Sequence, residues 1–215
     1  FMLSFAAIAT THEERIAEAI TCAELLADEQ QNFRASFALQ VNISCPNTAH
    51  SSEAMISEAD SLLAAISTRL QSVPLMVKLS VVTPVETAKK IADSPFCAGL
   101  CVSNTIPFGT LPNQIPWRKL FGTSIVSPLQ ARVGQPGGLS GKFLFPIVVD
   151  WIECARELGI TKPINAGGGI MTAHHIDHLR NAGASSCFLG SVAITRPWRV
   201  ASLIRFAQDI RWHTC

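Results

Sequence analysis

The sequence predicts an α/β fold of the TIM (β/α)8 barrel type, incomplete, with about six βα units present and the first two missing. Short apolar runs alternate along the chain with longer segments of helical period. The runs are continuous rather than alternating in polarity, as expected for strands of a parallel sheet covered on both faces. A complete barrel typically needs about 250 residues, whereas this chain has 215 and begins at Phe1 inside an apolar run. We therefore expect the natural N-terminus to lie further upstream.

Six apolar runs are predicted strands: Phe1–Ala9, Leu39–Ser44, Leu75–Ser80, Gly99–Ser103, Pro163–Ala166 and Ser186–Gly190. The helices between them are marked by caps and by apolar stripes at i, i+3, i+4 spacing. The first three predicted helices are marked by the capping box Thr11–Glu14, by the apolar stripe Met55–Leu70, and by the stripe Ile147–Leu158 followed by Gly159. The next helix begins at the cap Thr172 and ends at Gly183, and the last helix begins near Pro197. Repeated βα units form either a barrel or an open doubly wound sheet.

Composition indicates a soluble enzyme in a reducing compartment. Apolar residues make up 48% of the chain, charged residues 15%, and the net charge is +1, so nothing draws it to nucleic acid or to an anionic membrane. The seven cysteines are odd in number and include no CxxC pair, which is typical of free thiols in the cytoplasm. No apolar run is long enough to span a bilayer. We expect a cytoplasmic protein.

One connection is out of proportion to the rest. Residues 104–143 separate a strand from the next helix and are rich in Pro and Gly. So long a loop in a compact domain is usually functional, and it follows the carboxyl end of a strand, where barrel enzymes place their chemistry. We therefore interpret residues 1–215 as one partial barrel domain with a long insertion at 104–143.

A thiol between two amides ends the second predicted strand, in the segment Asn42-Ile43-Ser44-Cys45-Pro46-Asn47. Asn both donates and accepts hydrogen bonds, which suits a planar substrate with imide and carboxylate groups. Cys45 on such a loop can act as a base or nucleophile if its pKa is tuned. Taken alone, the pattern equally describes a buried structural cysteine beside turn-forming residues.

Other polar residues follow or interrupt later strands. Lys78 lies within an apolar strand and needs a partner there, either an anionic cofactor or a carboxylate inside the barrel. Asn104 and Thr105 end another strand, where they could bind a ligand or satisfy turn backbone. The pair Gly168-Gly169 and the turn Gly190-Ser191 follow the last two strands, where barrels commonly bind phosphate through closely approaching N–H groups. Tight turns are the alternative.

Three histidines lie together on one predicted helix. His174 and His178 have i, i+4 spacing, with His175 beside them, and this spacing can bind a metal. No carboxylate or thiol completes a ligand set, so we interpret these histidines as a polar outer helix face and expect no metal.

Six segments in order resemble the dihydroorotate dehydrogenase family. The segment NISCPN resembles that family's signature. Five later segments resemble its flavin-binding Lys strand, its substrate-binding Asn-Ser/Thr pair, its Gly-rich loop over the flavin and its two phosphate-binding turns: Val77–Ser80, Ser103–Thr105, Gly137–Gly141, Ala166–Ile170 and Phe188–Ser191. The resemblance covers essentially the whole chain. It implies FMN-dependent oxidation of dihydroorotate to orotate in UMP biosynthesis.

The resemblance also implies residue roles. Cys45, as thiolate, would remove the C5 proton while hydride leaves C6 for flavin N5. Dihydroorotate would be bound by Asn42, Asn47, Asn104 and Thr105. FMN would be bound by Asn42, Lys78, Ser103, Gly141, Gly168, Gly169, Gly190 and Ser191. A Cys base is similar to the soluble members, which pass electrons to fumarate or, through a partner subunit, to NAD. A homodimer is the other assembly expected.

Two further readings stay open. The chain could be a related flavin barrel, such as a dihydropyrimidine dehydrogenase domain, although that family's reactive Cys lies further along the loop. It could also be a non-catalytic flavoprotein or a barrel fragment. The family's first two strands carry another flavin-contacting Lys and a substrate loop. Without them, two strand edges would be unpaired, and we expect weak FMN binding or aggregation.

Overall fold

The computed structural model describes residues 1–43 and 51–213. Cys45 and Asn47, two of the predicted site residues, lie outside the described residues. The predicted α/β fold is confirmed: six parallel strands form one sheet and helices connect them. No helix in the described part of the chain is both long enough and apolar enough to cross a membrane.

The elements follow one another in βα order, interrupted by a folded connection between the fourth and fifth strands of the sheet. They are β1 Met2–Phe5, α1 His12–Glu29, β2 Ala38–Asn42, α2 Ser52–Ser67, β3 Leu75–Leu79, α3 Val85–Ala92, β4 Gly99–Val102, β5 Ile106–Pro107, α4 Trp117–Phe121, α5 Pro128–Val133, β6 Gly138–Leu139, α6 Leu144–Glu157, β7 Ile164–Ala166, α7 Ala173–Asn181, β8 Ser186–Cys187, α8 Ser191–Thr195 and α9 Val200–Asp209. The parallel sheet has the order β1-β2-β3-β4-β7-β8.

All six predicted strands are present, each shorter than its apolar run. The long run Phe1–Ala9 contributes only β1, because the backbone N–H groups of Ile8 and Ala9 donate to the Glu18 carboxylate instead of to a strand. The predicted capping box of Thr11 and Glu14 begins α1. At the C-terminus, α8 precedes the predicted start near Pro197, which opens a 3₁₀ turn before α9.

Side chains on the sheet separate into two faces. Val41, Val77, Leu100 and Ile164 are aligned across the sheet and are fully buried on one face. The residues that alternate with them, among them Gln40, Lys78 and Cys101, point to the other face, as the twofold period of a strand requires. The helix-covered face therefore supplies the core.

The opposite face is concave. The Sγ of Cys101 on β4 lies 3.9 Å from the Sδ of Met2 on β1, although β2 and β3 separate these strands in the sheet. The Nδ2 of Asn165 on β7 lies 4.0 Å from the same sulfur. Side chains from such distant strands meet only if the sheet curls, so the fold is an incomplete barrel, as predicted.

The connection 104–143 is structured. Strands β5 and β6 pair antiparallel, with Ile106 opposite Leu139. Between them, the rings of Phe108, Trp117 and Phe121 pack together with centroids 4.9–6.0 Å apart. The connection thus has its own aromatic cluster, and it returns the chain to the sheet at the Gly-rich segment Gly137–Gly141.

Candidate active site

A row of polar side chains crosses the concave face at one level. Strand register aligns Asn42 with Lys78, Lys78 with Cys101, Cys101 with Asn165 and Asn165 with Ser186. This level lies at the carboxyl ends of the strands, the edge at which barrel enzymes carry their active sites. We call these five residues the polar row.

Asn42 and Asn104 are joined directly. The side-chain amide of Asn104 donates to the side-chain carbonyl of Asn42, with 2.7 Å between Nδ2 and Oδ1. The backbone N–H of Asn104 donates to the carbonyl of Leu79, so Asn104 lies beyond the end of β3. The structure therefore brings these two predicted ligand-binding residues together across the strand that carries Lys78.

Lys78 projects into the concave face toward β8. Its Nζ lies 5.7 Å from the centroid of the Phe188 ring, within the range of a cation–π contact. The ion pairs of the described residues lie elsewhere: Arg15–Glu58, Arg69–Glu24, Lys89–Asp93 and Arg180–Asp177. Lys78 thus has no carboxylate partner among the described residues.

Ser103 and Thr105 are held by the chain itself. Ser103 is buried; its N–H donates to the Gly167 carbonyl, and its hydroxyl accepts from the N–H of Val81. Thr105 is exposed and abuts Gly138, where an added β-carbon would overlap the Thr105 hydroxyl. Thr105 therefore packs against the β5–β6 hairpin, while Ser103 ties the end of β4 to the glycine segment after β7.

The two predicted glycine segments touch each other. A β-carbon on Gly169 would lie 2.5 Å from the Gly141 carbonyl oxygen. Gly168 and Gly169 have φ angles of +122° and +76°, a region that favours glycine. Within the described chain, the N–H groups of Gly168 and Gly169 donate to no protein acceptor. This turn therefore leaves backbone donors available to an anion.

The second predicted phosphate turn is adjacent. Gly190 precedes α8, which begins at Ser191, and β8 pairs with β7. Gly190 has a φ of −114°, and a β-carbon there would meet nothing within 4 Å. The packing of the described chain therefore does not require glycine at position 190; only close approach by a ligand would.

Cys101 is the thiol of the polar row, at the level of Lys78. Burial raises its pKa to about 11, partly opposed by the hydrogen bond from Asn165 and the charge of Lys78. Cys101 therefore stays a neutral thiol near pH 7 and is unsuited to act as a base.

His175 differs from the expected polar outer face. Its ring stacks on Phe145, with centroids 4.0 Å apart and planes inclined by 17°, and its Nδ1 accepts from the N–H of Met171 at 3.1 Å. His174 and His178 are exposed, as predicted. The sequence does carry a signal for His175, because it occupies the third helical position after the Thr172 cap, from which a side chain can reach back to the backbone before the helix.

Among the described residues, no group of three or more His, Cys, Asp or Glu side chains could hold a metal ion.

Comparison with known proteins places these features in a family. The model of the family described as dihydroorotate dehydrogenase matches residues 5–207. The catalytic subunit of dihydroorotate dehydrogenase B (NAD(+)) from Latilactobacillus sakei is 28% identical over 177 residues, which are 80% of this chain and 53% of that protein. The corresponding subunit from Geobacillus kaustophilus is 32% identical, over 78% of this chain and 50% of that protein.

The fold comparison agrees with the sequence comparison. A crystal structure of ligand-free type DHODH from Eimeria tenella superposes with a TM-score of 0.56 at 17% identity, covering 94% of this chain and 66% of that chain. At this identity the likeness shows the fold alone. This chain spans about half the length of the curated relatives described above. The match over residues 5–207 shows that the chain belongs to the dihydroorotate dehydrogenase family.

Proposed function

We propose that the protein uses FMN to oxidise dihydroorotate to orotate in pyrimidine biosynthesis. The observation that carries this proposal is Lys78, a cation on the concave face with no carboxylate partner among the described residues. A half-buried cation is costly unless an anion or dipoles compensate it. Lys78 lies directly beside Asn42 in the strand register, and Asn42 bonds Asn104. A cation beside two amides suits an electron-accepting ring and a polar planar substrate.

The residues present fit FMN. The turn Gly168–Gly169, with its available N–H groups, and the turn Gly190–Ser191 would bind the phosphate, and Gly141 would lie over the cofactor with its carbonyl against Gly169. Lys78 would neutralise charge on the reduced ring. When bound, FMN supplies a two-electron acceptor for the hydride that leaves C6 of dihydroorotate.

The chain's own residues would accept the substrate proton and orient the substrate ring. The Cys45 thiolate would take the proton from C5, so that loss of a proton and a hydride leaves the C5–C6 double bond of orotate. In the sequence, Cys45 lies three positions after Asn42, the last residue of β2. Asn42, Asn47, Asn104 and Thr105 would orient the ring. The raised pKa of Cys101 favours Cys45 as the base.

The proposal extends to the electron acceptor. Both curated relatives described above are named catalytic subunits of an NAD(+) enzyme. We propose the same class here, in which a partner subunit passes electrons to NAD, with fumarate as the alternative acceptor.

Anaerobic titration of the FMN-reconstituted protein tests the function. Dihydroorotate should bleach the flavin absorbance near 450 nm in stoichiometric amount, and dihydrouracil should not. Bleaching by dihydrouracil alone would instead favour the dihydropyrimidine dehydrogenase reading. Bound FMN that neither compound bleaches would favour a non-catalytic flavoprotein, and either result would overturn the proposal.

A further inference from the structure

We infer that His175 is a positioning residue for the glycine turn Gly168–Gly169, locking it in the shape that receives the phosphate of the cofactor. The inference rests on the proposed function, because it concerns FMN. His175 belongs neither to the polar row nor to the glycine segments, and it lies behind the turn.

Three contacts converge on the His175 side chain. Its Nδ1 accepts from the N–H of Met171, two residues after Gly169. Its ring stacks on Phe145 in the first turn of α6, and the Gly169 carbonyl acts on the ring electrostatically, favouring its protonated form and so raising its pKa. His175 therefore links α6, α7 and the segment Gly169–Met171 at one point.

Phe145 extends this link to the other glycine segment. Helix α6 begins three residues after Gly141, and a β-carbon on Gly169 would lie 3.1 Å from the Phe145 β-carbon. The Gly141 carbonyl abuts Gly169 on the same side. The turn is thus held between the start of α6 and the imidazole, so its free N–H groups are fixed before a ligand arrives. Such preorganisation raises affinity because less conformational freedom is lost on binding.

The arrangement requires one form of the ring. Because Nδ1 accepts a hydrogen bond, it carries no proton, and the neutral imidazole must carry its proton on Nε2. The cap of α7 is independent of this side chain, since it joins the Thr172 hydroxyl to the backbone N–H of His175. Substitution of the ring therefore leaves the helix cap in place.

Two variants distinguish the hydrogen-bond acceptor at Nδ1 of His175 from the packing of its ring on Phe145. His175→Phe keeps a ring on Phe145 but removes the acceptor, whereas His175→Asn provides an acceptor oxygen near the Nδ1 position without the ring. FMN affinity, measured by quenching of FMN fluorescence, should fall about three- to tenfold in His175→Phe. It should return to within about twofold of the unsubstituted protein in His175→Asn, and stay unchanged in His174→Asn, the exposed control.

Two measurements on the unliganded protein complete the test. The melting temperature of His175→Phe should stay within about a few degrees of the parent's, and ¹H–¹⁵N spectra should show the proton of His175 on Nε2. The inference is overturned by equal FMN affinity in His175→Phe and the parent, by equal losses in His175→Phe and His175→Asn, or by a proton on Nδ1. If the parent binds no FMN, the proposed function fails and this inference fails with it. If the parent is bleached by dihydroorotate and His175→Phe binds FMN normally, this inference alone fails.

Discussion

The side-chain amide of Asn104 donates to the side-chain carbonyl of Asn42 over 2.7 Å, joining the ends of β4 and β2 above β3. This bond fixes two amides beside Lys78, which is aligned with Asn42 in the sheet. Asn104 reaches its place because its own N–H is bonded to the carbonyl of Leu79. A planar substrate above Lys78 would therefore meet amides of fixed orientation.

Asn104→Ala should weaken substrate binding more than cofactor binding. The change removes one amide and its hydrogen bond to Asn42, so KM for dihydroorotate should rise about tenfold, the value of one good hydrogen bond. FMN affinity should change by less than about twofold. Steady-state kinetics and FMN titration check this, with the exposed Asn113→Ala as control. A larger loss of FMN affinity than of substrate affinity would contradict the role given to Asn104.

Gly169→Ala and Gly190→Ala should behave differently. A methyl group on Gly169 would collide with the Gly141 carbonyl and force a φ of +76° on alanine, so stability should fall by about 1–3 kcal/mol even without FMN. Gly190→Ala has open space and an ordinary φ, so the melting temperature of the unliganded protein should not change.

The methyl group added at position 190 would contact a bound ligand but no atom of the described chain. FMN affinity of Gly190→Ala should therefore fall by about tenfold or more if the phosphate approaches this turn closely. Thermal melts with and without FMN provide the measurement. Unchanged FMN affinity in Gly190→Ala would remove this turn from the phosphate site.

Lys78→Met should slow the reduction of bound FMN without lowering the stability of the unliganded protein. Because Lys78 has no carboxylate partner among the described residues, the unliganded protein should keep or gain stability when the charge is removed. Reduction of bound FMN by dihydroorotate should slow by about two to three orders of magnitude, the usual effect of losing one preorganised electrostatic contact. Lys90→Met on the surface of α3 is the matched control. A large loss of stability with normal flavin reduction would show that Lys78 serves the fold instead.

The sequence predicts the parallel strands and most helices because their apolar periodicity reports burial directly. It does not predict the bond between Asn42 and Asn104, because these residues are 62 positions apart and only the register of three strands brings them together. The sequence also marks 104–143 as a functional loop without indicating the β5–β6 hairpin, whose strands have two residues each.

His175 turns inward for a reason that helical spacing does not reveal. Spacing alone predicts a polar outer face for His174, His175 and His178, which is wrong for His175. Its neighbours Phe145 and Met171 come from α6 and from the turn before α7, and tertiary packing decides which of three adjacent histidines turns inward. The contact between Thr105 and Gly138 is likewise set by tertiary structure, because the two residues lie on opposite sides of the hairpin.

Acid should destabilise the protein through His175. Burial lowers its pKa from the ordinary value of 6.5, the Gly169 carbonyl opposes this, and the neighbouring His174 and His178 lower it further. The unfolded chain therefore takes up a proton at higher pH than the folded chain does, and stability present above about pH 6.5 is lost as pH falls. Packed against His175, α6 presents the uncharged Phe145, while α7 presents the other two histidines.

The pH effect can be measured as a difference between two proteins. Thermal stability of the parent should fall more than that of His175→Phe between about pH 7.5 and about pH 5.5. All other titrating groups are common to both, so they cancel in the comparison. Parallel pH profiles would show that His175 is not held neutral by the fold.

Rapid-reaction reduction of bound flavin shows whether the thiol of Cys45 acts on a substrate beside an FMN ring. Parent, Cys45→Ala and the exposed control Cys154→Ala are mixed anaerobically with dihydroorotate, and the flavin absorbance is followed. We expect both variants to bind FMN as tightly as the parent does, Cys154→Ala to react like the parent, and Cys45→Ala to reduce its flavin about two to four orders of magnitude more slowly. A Cys45→Ala protein that reduces its flavin at the parent's rate would show that Cys45 is not the base.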